Sequence, residues 1–252
     1  MRKDLGIEAA GNRAGDSLCR LPGPGRWAGG VASAAAGLVA AVVASVAGLA
    51  TRNVPVALAG GLIVVLGKVV ALVQALFGLQ WRHRSLTDAE KALLTMVYRG
   101  SVDLAAVRVV PGFAGVFSAN KRPFTLGGTI YLKRAKHPAT LVHECAHVWQ
   151  YQHLGSRYTF DALRAQHKLK AGAYRWVDEL GRGRTRWGEF NREAQAQLLE
   201  DLVRFGERVP ATGVTGEFYS DEPIGGAVRF LHDDVDHTEF ARAAVAEVRA
   251  LR

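Results

Sequence analysis

Leu141-Val142-His143-Glu144-Cys145-Ala146-His147-Val148-Trp149-Gln150 is the stretch from which the rest of the chain can be read. On a helix, residues four apart share a face, so His143 and His147 present their imidazoles to one point. Two neutral imidazoles hold zinc at about 2.0–2.1 Å, and Glu144 then lies beside the metal as a general base. The helix is readable from its own residues. Pro138 suits a first helical position, His137 or its neighbours supply the cap, and Ala139 to Gln152 contains no breaker.

Two histidines leave a zinc ion short of protein ligands, so a third must come from elsewhere. His153 continues the spacing of the metzincin pattern, but Gln150 stands where that pattern needs a turn-forming glycine. The only methionines, Met1 and Met96, supply no downstream Met-turn. Glu193, in Phe190-Asn191-Arg192-Glu193-Ala194-Gln195-Ala196, is the expected ligand, with His153 as the competing candidate. A carboxylate from a second helix completes a His2Glu set and leaves the fourth position open to water. Glu200 and Asp201, two turns further on, are candidates to orient the imidazoles. Tyr174, His167 and His153 are candidates to steady a developing oxyanion. The cluster Asp233-Asp234-x-Asp236-His237 lacks an EF-hand register and reads as a solvated loop.

Toward the N-terminus, Gly29 to Ala50 is a run of 22 residues without a charge, and Val54 to Leu79 is broken only by Lys68 and Gln74. Crossing a hydrocarbon core takes about 20 apolar residues, so each run suffices. Small residues recur at helical spacing in both (Gly30, Ala34, Gly37, Ala41; Gly60, Gly67, Ala71, Ala75), which favours a close antiparallel pair. The expectation is a membrane hairpin over residues 29–79, joined by the polar turn Thr51-Arg52-Asn53. A mid-helix Lys68 is costly in lipid and requires a partner or snorkelling. Arg2, Lys3, Arg13, Arg20 and Arg26 precede the hairpin and Arg82, Arg84 and Lys91 follow it, which places both termini in the cytoplasm.

Composition narrows the partners. The chain carries a net charge of +9 over 252 residues, but dispersed. Five cations against three acids precede Trp27, the hairpin adds Arg52 and Lys68, and the remaining +5 is spread over residues 81–252 without a nucleic-acid motif. Nucleic acid is therefore not an expected partner, whereas a peptide substrate and anionic lipid are. Oligomeric state is not readable. Cys19 and Cys145 make no disulfide framework.

The expected organisation is a polar flexible tail (1–26), a hydrophobic helical hairpin (27–80) and an α+β domain (81–252). In the last, Thr87-Asp88-Ala89-Glu90 is a capping box opening a helix to about Arg99. Strands are expected at Ala106–Val110, near Val116 and over Thr125–Leu132. Helices follow at Tyr158–Lys168, Phe190–Phe205 and Thr238–Leu251, with a loop over Val209–Gly226.

The segment Phe124-Thr125-Leu126-Gly127-Gly128-Thr129-Ile130-Tyr131-Leu132, followed by Leu141-Val142-His143-Glu144 and His147-Val148-Trp149-Gln150, resembles the zinc-metallopeptidase core domain associated with extracellular contractile injection systems and bacterial polymorphic toxins. The resemblance covers about residues 85–155, including the lead-in over Leu86–Val110. It implies a zincin-like fold, zinc on His143 and His147, and Glu144 as the catalytic carboxylate. Related HExxH proteins with the His-Val-Trp-Gln-Tyr-Gln continuation carry a segment similar to Phe190–Ala196, which supports Glu193. Gln197 stands where those relatives carry an Asp. The expected function is a membrane-anchored zinc metallopeptidase. The alternatives are a catalytically idle zincin module or a membrane-active effector of an injection or toxin system.

Overall fold

The computed structural model describes residues 3–250 apart from 23, 49, 51–52, 81, 136, 206 and 209–227. Two expected features, the Thr51-Arg52 part of the hairpin turn and the Val209–Gly226 loop, lie outside the described residues. Among those described the protein is mainly helical with small sheets, an architecture compatible with α+β.

The centre is a three-stranded sheet of β1 (Arg108–Pro111), β2 (Phe124–Leu126) and β3 (Thr129–Lys133), in the order β1-β3-β2. β1 runs parallel to β3 and β2 antiparallel, with Thr125 opposite Ile130. The single strand expected over Thr125–Leu132 is thus a tight hairpin. Gly127 takes φ +59° at its turn, where a side chain would be strained. The strand expected near Val116 is a 3₁₀ turn, Gly115–Ala119.

Strand alternation explains how the sheet is covered. Val109, Ile130 and Leu132 face the main core, while Val110, Tyr131 and Leu126 face the other way, and all five residues of β3 are buried. A strand buried on both faces needs a layer on each side. One layer is built by α4 (Asp88–Tyr98), α5 (Pro138–Leu154), α8 (Arg192–Phe205) and α9 (Thr238–Ala250), packed around Trp149, Trp176 and Trp187. α4 begins with the expected capping box, Thr87 and Glu90 exchanging bonds. α6 (Arg157–Leu169) and α7 (Trp176–Gly181) close the side, and β6 (Leu231–His232) and β7 (Val235–Asp236) form a small hairpin. Asp233 and Asp234 make its turn with φ 50° and 62°, a conformation Asp tolerates, which accounts for that acidic cluster without a metal. β4 (Glu207–Arg208) pairs with β5 (Val228–Arg229).

The second face of the sheet is covered by the apolar hairpin itself. Helices α2 (Gly25–Gly48) and α3 (Val54–Leu76) are long and apolar enough to cross a membrane. In the structure they lie along the sheet, Ala41 and Val64 joining the cluster of Val110, Leu126 and Tyr131. Their glycines are points of close approach: a Cβ at Gly60 would overlap the Ser156 carbonyl oxygen, and one at Gly67 would lie 2.7 Å from Leu126 Cδ2. Gly60→Ala should therefore destabilise the full chain by about 1–3 kcal/mol through overpacking against backbone. An unchanged thermal midpoint would show that the two helices separate from the domain at no cost.

The polar tail expected over residues 1–26 is corrected in part. Lys3–Cys19 forms α1, which packs on α2 and buries Glu8, Ala9 and Asn12. The reason is tertiary, since its apolar content is low. Asn12 Nδ2 donates to the Ala105 carbonyl at 3.1 Å, and Asp16 meets the buried Arg108 guanidinium at 2.5 Å. Lys68 is also resolved: its ammonium lies 2.8 Å from Thr129 Oγ1 and 3.6 Å from Glu8. It neither snorkels nor faces lipid. The buried Lys68 is thus one of the hairpin's contacts with the rest of the protein, beside Ala41 and Val64, and its bare face is apolar, with Val39, Val42, Val46, Leu58, Leu62 and Leu66 exposed.

Candidate metal centre

Each ligand is set by local sequence. His137 Nδ1 accepts from the Ala139 N–H at 3.1 Å and Pro138 follows at the first helical position, so α5 begins where the breaker-free run begins. His143 and His147 are one turn apart, both buried, with ring centroids 5.2 Å apart. Across from them, Asn191 Oδ1 accepts the N–H groups of Glu193 (3.0 Å) and Ala194 (3.1 Å), starting α8 at Arg192. Glu193 thereby sits in the first turn, where the helix dipole favours a carboxylate.

Glu193 Oε2 lies 3.6 Å from His143 Nε2 and 3.5 Å from His147 Nε2. Atoms bound about 2.0–2.1 Å from one tetrahedral ion are about 3.4 Å apart, so the three fit a single ion. This buried trio is the group among the described residues that could hold a metal. His153, the competing ligand, lies elsewhere: its Nε2 sits 2.8 Å from the Ser101 carbonyl and its ring tilts against Trp149.

The surroundings fix which atoms would face an ion held there. Gln150 Oε1 lies 2.9 Å from His147 Nδ1, and the Gln150 amide nitrogen donates to the Arg192 carbonyl and to Gln195 Oε1, both at 2.9 Å. The amide is therefore oriented, His147 Nδ1 is the protonated nitrogen, and Nε2 is free to ligate. His143 Nδ1 lies 3.0 Å from Glu200 Oε2, at ion-pair distance, and Arg204 holds the other oxygen of Glu200 at 2.6 Å. Asp201, the other candidate, accepts from Trp176 Nε1 at 2.9 Å and Gln197 at 2.8 Å instead. Gln166 Nε2 donates to Glu193 Oε1 at 2.9 Å, leaving Oε2 to the imidazoles.

Charge follows the same geometry. Burial disfavours an imidazolium at His143, but the carboxylates of Glu193 and Glu200 outweigh it and raise its pKa to about 10. Burial likewise opposes ionisation of Glu193, yet the two imidazoles hold its carboxyl far below the usual range. A concentrated negative site that attracts protons onto both rings is one a divalent cation can occupy in their place. Burial raises the Glu144 carboxyl against the pull of both histidines. Thr125 Oγ1 lies 2.8 Å from Glu144 Oε2.

These groups line a cleft of about 500 Å³, walled by β2, α6, Tyr174 and a part of α3. Two phenols flank the imidazoles: Tyr174 stacks near His143 at 6.1 Å between centroids, and Tyr158 near His147 at 6.2 Å. Among the three candidates for the oxyanion, Tyr174 lines the cleft, whereas His167 is exposed on α6 and His153 is remote. Burial lifts the Tyr174 hydroxyl to about 12, so it is a donor at neutral pH.

Sequence reading did not find Gln150, Gln166, Thr125 or Tyr158. The first had a signal, since Gln150 follows His147 by three residues on one helical face. The others arrive from separate elements and had none. Gln150→Leu should lower metal affinity about 10–100-fold by freeing the His147 ring. Equal affinity in a competitive chelator titration would remove Gln150 from the site.

The chain has no significant match among protein-family models, curated proteins or solved structures.

Proposed function

We propose that the protein is a membrane-associated zinc metallopeptidase. The observation that carries this reading is the Glu144 carboxylate standing beside the His143–His147–Glu193 trio in an open cleft. A purely structural site needs the ligands and not the base. Two imidazole nitrogens and one carboxylate oxygen are a donor set suited to zinc with one position left for water. Bound there, zinc lowers the pKa of that water and polarises a carbonyl.

The protein's own residues do the rest. Glu144 accepts the proton of the attacking water and returns it to the leaving amine nitrogen. Thr125 holds the Glu144 carboxylate in place, and its own position on β2 ties the base to the sheet. The Tyr174 hydroxyl donates to the oxygen that gains charge as the carbonyl becomes tetrahedral. β2 is an edge strand of the sheet and lines the cleft, so an extended peptide can lie along it.

The bare apolar face of α2 and α3 meets lipid while the opposite face stays on the sheet. Arginines at both ends of the hairpin, including Arg20, Arg26, Arg82 and Arg84, would attract anionic lipid headgroups. Because the hairpin completes the fold, it is less well suited to act as a separate membrane-active effector. The catalytically idle alternative is addressed by assay. Purified full-length protein should bind about one zinc per chain, falling below about 0.1 in His143→Ala, His147→Ala and Glu193→Ala. The wild type should cleave members of a peptide library. Full zinc occupancy in His147→Ala would overturn the site as drawn.

A further inference from the structure

The wall of the metal cleft that sequence reading assigns to no site comes from the hairpin. Ile63 and Gly67 of α3 line the same cavity as His143, Glu144, His147 and Glu193. They are one turn apart and half-way along a helix spanning Val54–Leu76. Gly67 has no side chain there, and Leu126 of the edge strand fills its place, which brings the catalytic sheet directly onto α3. A helix that merely tethered the domain would not form the wall of its cleft.

The neighbours of these two residues extend the surface. Leu62 and Leu66 each precede a cleft residue by one position, about 100° round the helix, and are 61% and 55% exposed. Moving round α3 therefore leads from the metal cleft to the bare apolar face without crossing a charge, the one cation of α3, Lys68, being buried against Glu8 and Thr129. Elsewhere in the cavity, Phe117, Phe124 and the 45%-exposed Leu163 continue the apolar lining. Against Ile63, Phe117, Phe124 and Leu163 a polar side chain would lose hydration without a hydrogen bond in return, whereas an apolar one gains by burial. The polar part of the same lining includes Asn120, Arg122, Gln166 and Gln197.

We infer that the substrate is an apolar polypeptide segment inserted in or leaving a lipid bilayer, reaching Glu144 along α3. This rests on the peptidase reading. The occupant must be polypeptide to offer an amide to the metal site, and it comes from lipid because the lining continues into the face of a helix pair long and apolar enough to cross a membrane.

The test uses full-length, zinc-loaded protein in vesicles of phosphatidylcholine and phosphatidylglycerol. Two probe peptides of equal length are compared: a Leu/Ala segment of about 20 residues flanked by lysines, and a Ser/Gly/Gln-rich soluble one. The inserted peptide should be cleaved at least about tenfold faster, and Ile63→Asp should lower the ratio of the two rates about tenfold with zinc content retained. Leu163→Asp, at an exposed point of the lining on α6, should shift the ratio in the same direction and guards against misfolding of the first variant. Equal wild-type rates, or a ratio unmoved in both variants, would overturn the inference. If only the soluble peptide is cleaved, and Glu144→Gln abolishes it, the peptidase reading stands and the inference falls. If the zinc-loaded wild type cleaves neither, the peptidase reading falls and takes the inference with it.

Discussion

Glu144→Gln is expected to keep its full complement of zinc and to lose peptide hydrolysis by about 10²–10⁴-fold, the usual contribution of a positioned general base. The substitution preserves size and can still accept from Thr125 Oγ1, which lies 2.8 Å from the native carboxylate. It removes only the capacity to take up and return a proton. The three ligand atoms belong to other residues, so metal content should not move. Paired measurement of zinc by mass spectrometry and of single-turnover cleavage separates the two roles. Undiminished cleavage would remove Glu144 from the chemistry. Loss of zinc would make it a structural residue.

Lys68→Met should have the largest effect on stability, about 3–5 kcal/mol, because it leaves the Glu8 carboxylate buried without its cation. Both side chains are nearly inaccessible, at 3% and 4% exposure, so solvent offers little screening. Thr129 also loses the ammonium that lies 2.8 Å from its hydroxyl. The double variant Glu8→Gln/Lys68→Met should recover most of this loss, since the buried carboxylate is neutralised together with its cation. Thermal unfolding of the full chain in detergent reads both. A double variant as unstable as the single one would show that the damage comes from packing and not from charge. The pair joins α1 to α3 beside β3, so its loss should also loosen α1.

Removing the hairpin should disturb the fold as well as any attachment to lipid. Val110, Leu126 and Tyr131 would lose their cover, exposing an apolar sheet face. An isolated fragment 81–252 is therefore expected to aggregate where the full chain in detergent does not. Static light scattering on the two proteins distinguishes the cases.

Local sequence alone determined the elements that local rules govern. The HExxH helix, its start at Pro138 and the Thr87–Glu90 capping box depend on residues within a few positions of one another. The two long apolar helices follow from the same kind of rule. So does the pairing of His143 with His147, which needs only the helical repeat. Glu193 was reachable because its segment is patterned and the metal leaves a ligand missing. What the sequence could not decide was which surfaces meet. α1 is too polar to be read as a packed helix, and Asn12, Asp16 and Glu8 tie it to Ala105, Arg108 and Lys68, each 60 or more residues away. Lys68 looked like a charge in lipid until Glu8 and Thr129 were brought beside it. Apolar periodicity says that a helix face must be buried, without naming bilayer or sheet, since both remove the same area from water. Only the tertiary structure, by laying α3 on β2 and into the wall of the cleft that His143 also lines, decided that the hairpin covers the sheet with one face and walls the candidate metal cleft with part of it.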